Sequence, residues 1–204
     1  MPGLIPGGLI IKDLNGYDTN GKLTGKPDGQ ISSADQVYLG STMPKLNFGF
    51  SNTFRYKNFD LAVYFYGNLG ALKLNSDYQY SFLMESNMAQ FGWNALSVVK
   101  DRWTYKNTGA TWPTGLNTGY EAYTGASNFW YEKADFIRCR DITLGYQLPA
   151  SALKGQSVFS AIRITAGVQN PFIITSYKGA DPELQNFAAY PLTKSFNIGA
   201  NINF

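Results

Sequence analysis

The chain has 204 residues, 16% of them aromatic and only 15% charged, against roughly 25% charged in an ordinary soluble domain. Its 21 Gly, 9 Pro and 44% apolar residues fit neither a disordered tail nor a helical bundle. A net charge of +3, no His and a single Cys exclude a phosphate-neutralising stripe, imidazole chemistry, an internal disulfide and a multi-thiolate metal site.

No run of about 18 apolar residues is present, so no helix is expected to span a bilayer. The opening Met1-Pro2-Gly3-Leu4-Ile5-Pro6 lacks the charged and apolar regions of a signal peptide, as expected of a cytosolic protein or of a piece of a longer exported one.

Residues 1–45 are rich in Gly, Pro, Asn and Asp. Asn15-Gly16, Asn20-Gly21 and Asp28-Gly29 can each supply positive φ, which predicts an ordered loop. From Leu46 the period becomes 2. Leu46, Phe48, Phe50, Phe54 and Tyr56 share one parity, with Asn52 the exception, and Asn47, Gly49, Ser51, Thr53 and Arg55 share the other. After Lys57-Asn58, Phe59, Leu61, Val63 and Phe65 alternate with Asp60, Ala62, Tyr64 and Tyr66, which predicts a hairpin.

Residues 70–133 have no sustained period of 2; a short helix is expected over Ala95–Trp103 and turns over Thr108–Thr118. A third strand is expected over Phe136–Leu148, stopped by Pro149. Arg138 and Arg140 share the parity of Ile142 there, so either a bulge shifts the register or that end projects beyond the apolar environment. A fourth strand, Ser160–Asn170, sets Ile162, Ile164, Ala166 and Val168 against Arg163, Thr165, Gly167 and Gln169. Following a loop over Pro171–Leu192, the last strand puts Phe196, Ile198, Ala200, Ile202 and Phe204 on one face, with Ser, Asn and Gly on the other.

In a soluble sheet the polar parity would hold Lys, Glu and Thr. Here it holds mainly Asn, Gly, Ser, Gln and Tyr. Strands of about 9–11 residues, aromatic ends (Tyr56, Phe59, Tyr146, Tyr190, Phe204), and connections alternating long and short are the signature of an outer-membrane barrel. The predicted fold is therefore all-β, with antiparallel up-and-down strands forming part of a large transmembrane β-barrel. Its parts are an extracellular loop 1–45, a hairpin 46–66, a long extracellular loop 67–133, a hairpin 134–170, an extracellular loop 171–192 and a terminal strand 193–204. The lipid-facing residues are then Phe48, Phe50, Leu61, Val63, Phe65, Ile142, Leu144, Ile162, Ile164, Val168, Phe196, Ile198 and Ile202.

The ordered motifs carry a resemblance. Asp13-Leu14-Asn15-Gly16, Asp28-Gly29-Gln30-Ile31, Ala34-Asp35, Leu39-Gly40 and Pro44 lead into Phe48-Gly49-Phe50. Tyr56-Lys57-Asn58-Phe59-Asp60, Asp101-Arg102-Trp103-Thr104, Ala134-Asp135-Phe136-Ile137-Arg138 and Ile142-Thr143-Leu144-Gly145-Tyr146 follow. Gln169-Asn170-Pro171-Phe172, Asp181-Pro182-Glu183 and Tyr190-Pro191 complete the set. In this order they resemble the C-terminal barrel segment of the SusC/RagA family of TonB-dependent outer-membrane transporters of Bacteroidetes, with an insertion at Tyr17–Pro27. The resemblance implies uptake of glycans or peptides and a SusD-like surface lipoprotein as lid. It also implies a plug driven by the TonB complex, and a terminal Phe204 read by the barrel insertion machinery. Five strands cannot close a barrel, since the smallest need about eight, so the chain is expected to be a gene fragment or one piece of a longer or split chain that completes its own barrel and plug.

Several residues are candidates for chemistry. Asp13, Asn15, Asp28 and Asp35 form an oxygen-rich loop in which Ca²⁺ could find ligands, although Asx residues in loops also serve as plain turn formers. Gly16–Lys22 has phosphate-loop spacing but continues into Leu23 where Ser or Thr is needed. Tyr64, Tyr66, Trp93, Trp103 and Trp112, with Asp181 and Glu183, could hold a sugar through ring faces and carboxylates; girdle packing and loop capping are the competing roles. Glu121 with Glu132 and Asp77 with Glu85 are the nearest approach to a glycosidase pair, and no enzyme is expected. The alternative reading is a soluble β-sandwich lectin with a Ca²⁺ site; there the face of Ile198 and Ile202 would be covered by a second sheet.

Overall fold

The computed structural model describes residues 5–83, 92, 94–114, 127–155, 158–184 and 189–204. The chain divides into two compact units, one of residues 1–40 and 73–132, the other of residues 41–72 and 133–204.

The second unit is a single antiparallel sheet. Its strands are β1 (Leu46–Tyr56), β2 (Phe59–Leu69), β5 (Phe136–Gln147), β6 (Ala161–Thr175) and β7 (Ser195–Asn203), hydrogen-bonded in the order β1-β2-β5-β6-β7. Chain order and spatial order coincide, as an up-and-down meander requires. Lys57, at φ 52°, closes the β1–β2 turn, and the Asn58 side-chain amide donates to the Gln147 carbonyl at 2.8 Å.

Register puts the apolar parities together. Phe50 faces Phe65, Leu61 faces Leu144, Val63 faces Ile142, Ile142 faces Val168, Ile162 faces Ile202, and Val168 faces Phe196. All the residues expected to meet lipid lie on this one face. Nothing among the described residues covers much of it: Phe50 is 53% exposed, Phe196 81% and Ile198 86%. The sandwich alternative fails here. The other sheet among the described residues is a two-stranded ribbon, β3 (Leu72–Leu74) with β4 (Tyr131–Lys133), too small to bury such a face.

A bulge, rather than a projecting end, accounts for the two arginines. One residue separates Val63 from Phe65, two separate their partners Ile142 and Cys139, and three separate the next pair of partners, Val168 and Phe172. Each strand thus carries one more residue than its neighbour across this level, which bends and twists the sheet. Arg140 is the unpaired residue on β5, opposite Asn170-Pro171 on β6. Beyond it the parity inverts, so that Cys139 and Ile137 join the apolar face and Arg138 faces the polar side opposite Tyr66.

The fourth strand is also longer than the sequence pattern implies. That pattern opens the loop 171–192 at Pro171, but β6 runs on to Thr175. Proline has no N–H for a ladder, and the bulge is where none is needed; Asn170 beside it takes a positive φ of 50°. The hairpin thus ends at residue 175 rather than 170, and β2 reaches Leu69 rather than Tyr66.

The first unit has its own aromatic core. α1 (Ser76–Leu83) is preceded by the buried Asn75, whose Oδ1 accepts the N–H of Tyr78 and whose Nδ2 donates to Glu132. Phe82, Val99 and Trp130 are buried, packed by Leu9, Leu74, Tyr78, Val98, Trp112 and Phe129. The helix expected over Ala95–Trp103 is a single 3₁₀ stretch, Ser97–Asp101. No helix among the described residues is long and apolar enough to cross a membrane.

Candidate functional site

On the polar face the bulge brings together residues that are distant in sequence. Arg138, only 4% exposed, directs Nη2 at both oxygens of Asp181 (2.8 and 2.7 Å) and Nε at Glu183 (2.6 Å). The Tyr66 hydroxyl donates to the Glu183 carboxylate, 2.8–2.9 Å from its oxygens. The Glu183 N–H donates to Asp181 Oδ1 at 2.9 Å, an Asx turn beside Pro182. One guanidinium fork therefore faces two carboxylates, and the pairing offsets the desolvation of a buried cation. Asp181 and Glu183, expected as ligand contacts, spend these acceptors on the wall of the sheet and latch their own loop to β5.

Beside this latch lies a concave pocket of about 240 Å³, lined by Tyr64, Tyr66, Arg140, Asp141, Gln169, Asn170 and Leu192. The Tyr64 and Tyr66 rings are near parallel, 6.2 Å apart, and the Arg140 guanidinium lies 5.9 Å from the centre of the Tyr66 ring. Asp141 accepts from Thr143 Oγ1 at 2.7 Å, and Asn170 Nδ2 donates to the Thr193 carbonyl. Among the described residues no protein group hydrogen-bonds the Tyr64 hydroxyl, the Arg140 guanidinium or the Gln169 side-chain amide. Of the residues forming latch and pocket, sequence reasoning singles out Tyr64, Tyr66, Asp181 and Glu183. It misses Arg138, Arg140 and Gln169 as site residues, although two arginines on an apolar parity are the visible signal.

Lower on the same face, Arg163 reaches Asp60 across Gly145, with Nη1–Oδ1 and Nη2–Oδ2 both 2.7 Å.

Trp103 and Trp112 belong to the other unit and pack against aromatic rings there. Trp112 stacks on Phe82 at 5.0 Å and meets Phe129 edge-on at 5.8 Å. Trp103 meets Tyr105 edge-on and closes over Gly7, where a Cβ would collide with the indole. Trp93, Glu85 and Glu121 lie outside the described residues.

The Asp-rich loop of the first unit is held by its own carboxylates. Asp35 Oδ1 accepts from Leu14 and Asn15 N–H, at 2.7 and 3.1 Å, and Oδ2 accepts from Ser32 N–H at 2.8 Å, closing a capping box. These bonds, that of Ser32 foremost, hold its carboxyl below the ordinary aspartate value. Asp13 accepts from Asp28 and Gly29, Asn15 from Gly16 and Gly25, and Asp28 from Gln30. Among the described residues no three acidic, His or Cys side chains cluster as metal ligands. Gly21 and Gly29 take positive φ as expected, whereas Gly16 does not; the Asp28 side chain occupies the place of its missing Cβ. The Gly16–Lys22 stretch is a turn in which Asp18 accepts from Asn20 and Lys22 N–H, not a phosphate loop.

No protein-family model matches the chain. It is 32% identical over 199 residues to the TonB-dependent receptor SusC of Bacteroides thetaiotaomicron, and 28% identical over 214 residues to the TonB-dependent receptor P3 of Formosa agariphila. These alignments cover 92% and 98% of this chain but 18% and 19% of those proteins, so the chain spans about a fifth of the length of the curated relatives it matches. Among solved structures, the RagAB peptide importer in its closed-closed state superposes with a TM-score of 0.70 at 25% identity, over 93% of this chain and 20% of that one. Along nearly its whole length the chain is a SusC/RagA-like TonB-dependent receptor segment.

Proposed function

We propose that this chain supplies barrel wall and vestibule loops to a TonB-dependent importer in the outer membrane, one that takes up glycans or peptides with a SusD-like lipoprotein as lid. The observation that carries the reading is the division of the sheet. One face exposes Phe50, Phe54, Phe196 and Ile198, while the other is tied by Arg–carboxylate pairs. An apolar face this extensive is a liability in water and the required surface in hydrocarbon. The strands, of 9 to 15 residues, are long enough to cross.

β1 and β7 form the edges of the sheet among the described residues. Closing these edges takes further strands of the same barrel, and energy would reach the site through a plug that engages the TonB complex. Similarity to the RagAB peptide importer supports an oligomeric nutrient as cargo, and a SusD-like lipoprotein would close the vestibule from outside.

The test is fractionation and uptake in cells that carry the whole receptor. The protein should sediment with the outer membrane, and import of its oligomer should stop when TonB is deleted. Recovery of the chain as a folded, detergent-independent soluble monomer would overturn the reading.

A further inference from the structure

We infer that the pocket at the β5 bulge is a subsite for a carboxylated sugar ring, held by Arg140 and Tyr64. The inference rests on the transport reading above and adds the chemistry of the cargo.

Its first support is the set of groups left without protein partners. Arg140 is exposed at the bulge and, unlike Arg138 and Arg163, bonds no carboxylate among the described residues. It leans on the Tyr66 ring, which keeps the planar fork pre-oriented for a planar anion. The Tyr64 hydroxyl and the Gln169 amide line the same concavity, and together they offer both donors and acceptors, as a ring bearing hydroxyl groups requires.

Shape is the second support. At about 240 Å³ the pocket falls below the roughly 300–1,000 Å³ of sites for drug-sized ligands; it suits one ring of a longer chain. The paired Tyr64 and Tyr66 rings supply an aromatic surface for the C–H face of a sugar. A peptide is the poorer fit. The pocket lies on the face of the sheet; apart from the bulge residues Arg140 and Asn170 its strand residues are paired in the ladders, so no free strand edge is available to a peptide main chain.

The inference also accounts for the bulge. As the extra residue of β5, Arg140 stands unpaired opposite Asn170-Pro171 instead of in a regular ladder position.

The test is calorimetry on the whole receptor in detergent. The probes are tetragalacturonate, its neutral methyl ester and an acidic tetrapeptide, each against wild type and Arg140→Gln. Wild type should bind tetragalacturonate more tightly than the ester or the peptide, and less tightly at high salt. Arg140→Gln should weaken that binding about tenfold or more, as loss of a charged hydrogen-bond partner does, and leave binding of the ester within twofold. Tyr64→Ala should weaken both sugars. The inference is overturned if Arg140→Gln leaves tetragalacturonate affinity unchanged, or if the peptide binds and the uronate does not. Either result with TonB-dependent uptake intact removes the subsite and leaves transport standing. Absence of the receptor from the outer membrane would remove both.

Discussion

Arg163 and Asp60 lie on strands that are not neighbours, and their ion pair crosses β5 directly over Gly145. A Cβ built on that glycine would collide with Arg163 Nη2 and with Asp60 Oδ1. Gly145 is thus required for close approach. The obstructing atoms are ends of flexible side chains, so Gly145→Ala should displace the pair and leave the strand in place. Arg163 is 38% exposed, and ion pairs in such settings are screened by solvent and weak. Gly145→Ala should therefore destabilise the barrel only slightly. Arg163→Met and Gly145→Ala should be non-additive in a denaturant titration of the receptor in detergent. Additive losses would show that the two residues do not interact.

The latch at Arg138 is a stronger case, because Arg138 and Asp181 are both buried. Asp181 is 6% exposed and Glu183 27%. Arg138→Ala removes the guanidinium that bridges Asp181 and Glu183, and removal of one member of a buried pair costs about 3–5 kcal/mol. The expected result is release of the 176–184 loop, seen as new proteolytic cleavage between Tyr177 and Leu184. Arg138→Lys should restore only part of the protection, since an ammonium cannot present the fork that spans Asp181 and Glu183. Tyr66→Phe, which removes a single bond to Glu183, should have a smaller effect than either.

The Asp35 cap gives a pH dependence with a definite sign. Its carboxylate accepts three backbone N–H groups, and its pKa in the folded loop is lowered, first by the Ser32 bond and then by that of Leu14. A depressed folded pKa contributes stability that is fully present above the unfolded aspartate value, about 3.9. That stability is lost as pH falls through the folded pKa. Hydrogen exchange at Leu14, Asn15 and Ser32 should therefore lose protection on acidification below about pH 4, after correction for the intrinsic rate. Asp35→Asn should weaken protection at neutral pH and flatten the profile. An unchanged profile would mean that some other group orders the loop.

Period and turn chemistry make part of the sheet legible in the sequence. β1 and the start of β2 can be read because Phe48, Phe50, Phe59, Leu61 and Val63 keep strict alternation, and Lys57-Asn58 is too short for anything but a turn. Legibility ends at Arg140. A bulge inverts parity without altering composition, so Arg138 reads as belonging with Ile142 although it faces Tyr66. Pro171 reads as a stop for the same reason, since its missing N–H matters only if the ladder there is regular. The latch joins residues 43 and 45 positions apart, a pairing that no local pattern encodes. The tryptophans look equally available in sequence, yet Trp112 is committed to Phe82 and Phe129 in the core of its unit.

Which face of the sheet is dry can be decided most sharply on β7. Phe196, Ile198 and Ile202 alternate there with Ser195, Asn197 and Asn201, and all nine residues of the strand are exposed among the described residues. Exposure alone therefore does not distinguish the faces, and substitution will. Ile198 sits near the middle of the strand, opposite Ala166. If its side chain meets hydrocarbon, Ile198→Arg should cost about 2–4 kcal/mol of barrel stability, and the same substitution nearer the strand end, at Ile202, should cost less. Asn197→Arg, one residue away on the polar side, should cost little, because a long cation there reaches a wet lumen. The measurement is reversible unfolding of the receptor in lipid vesicles. Equal costs at residues 197 and 198 would mean that both faces meet the same solvent, and the barrel assignment would fall with that result.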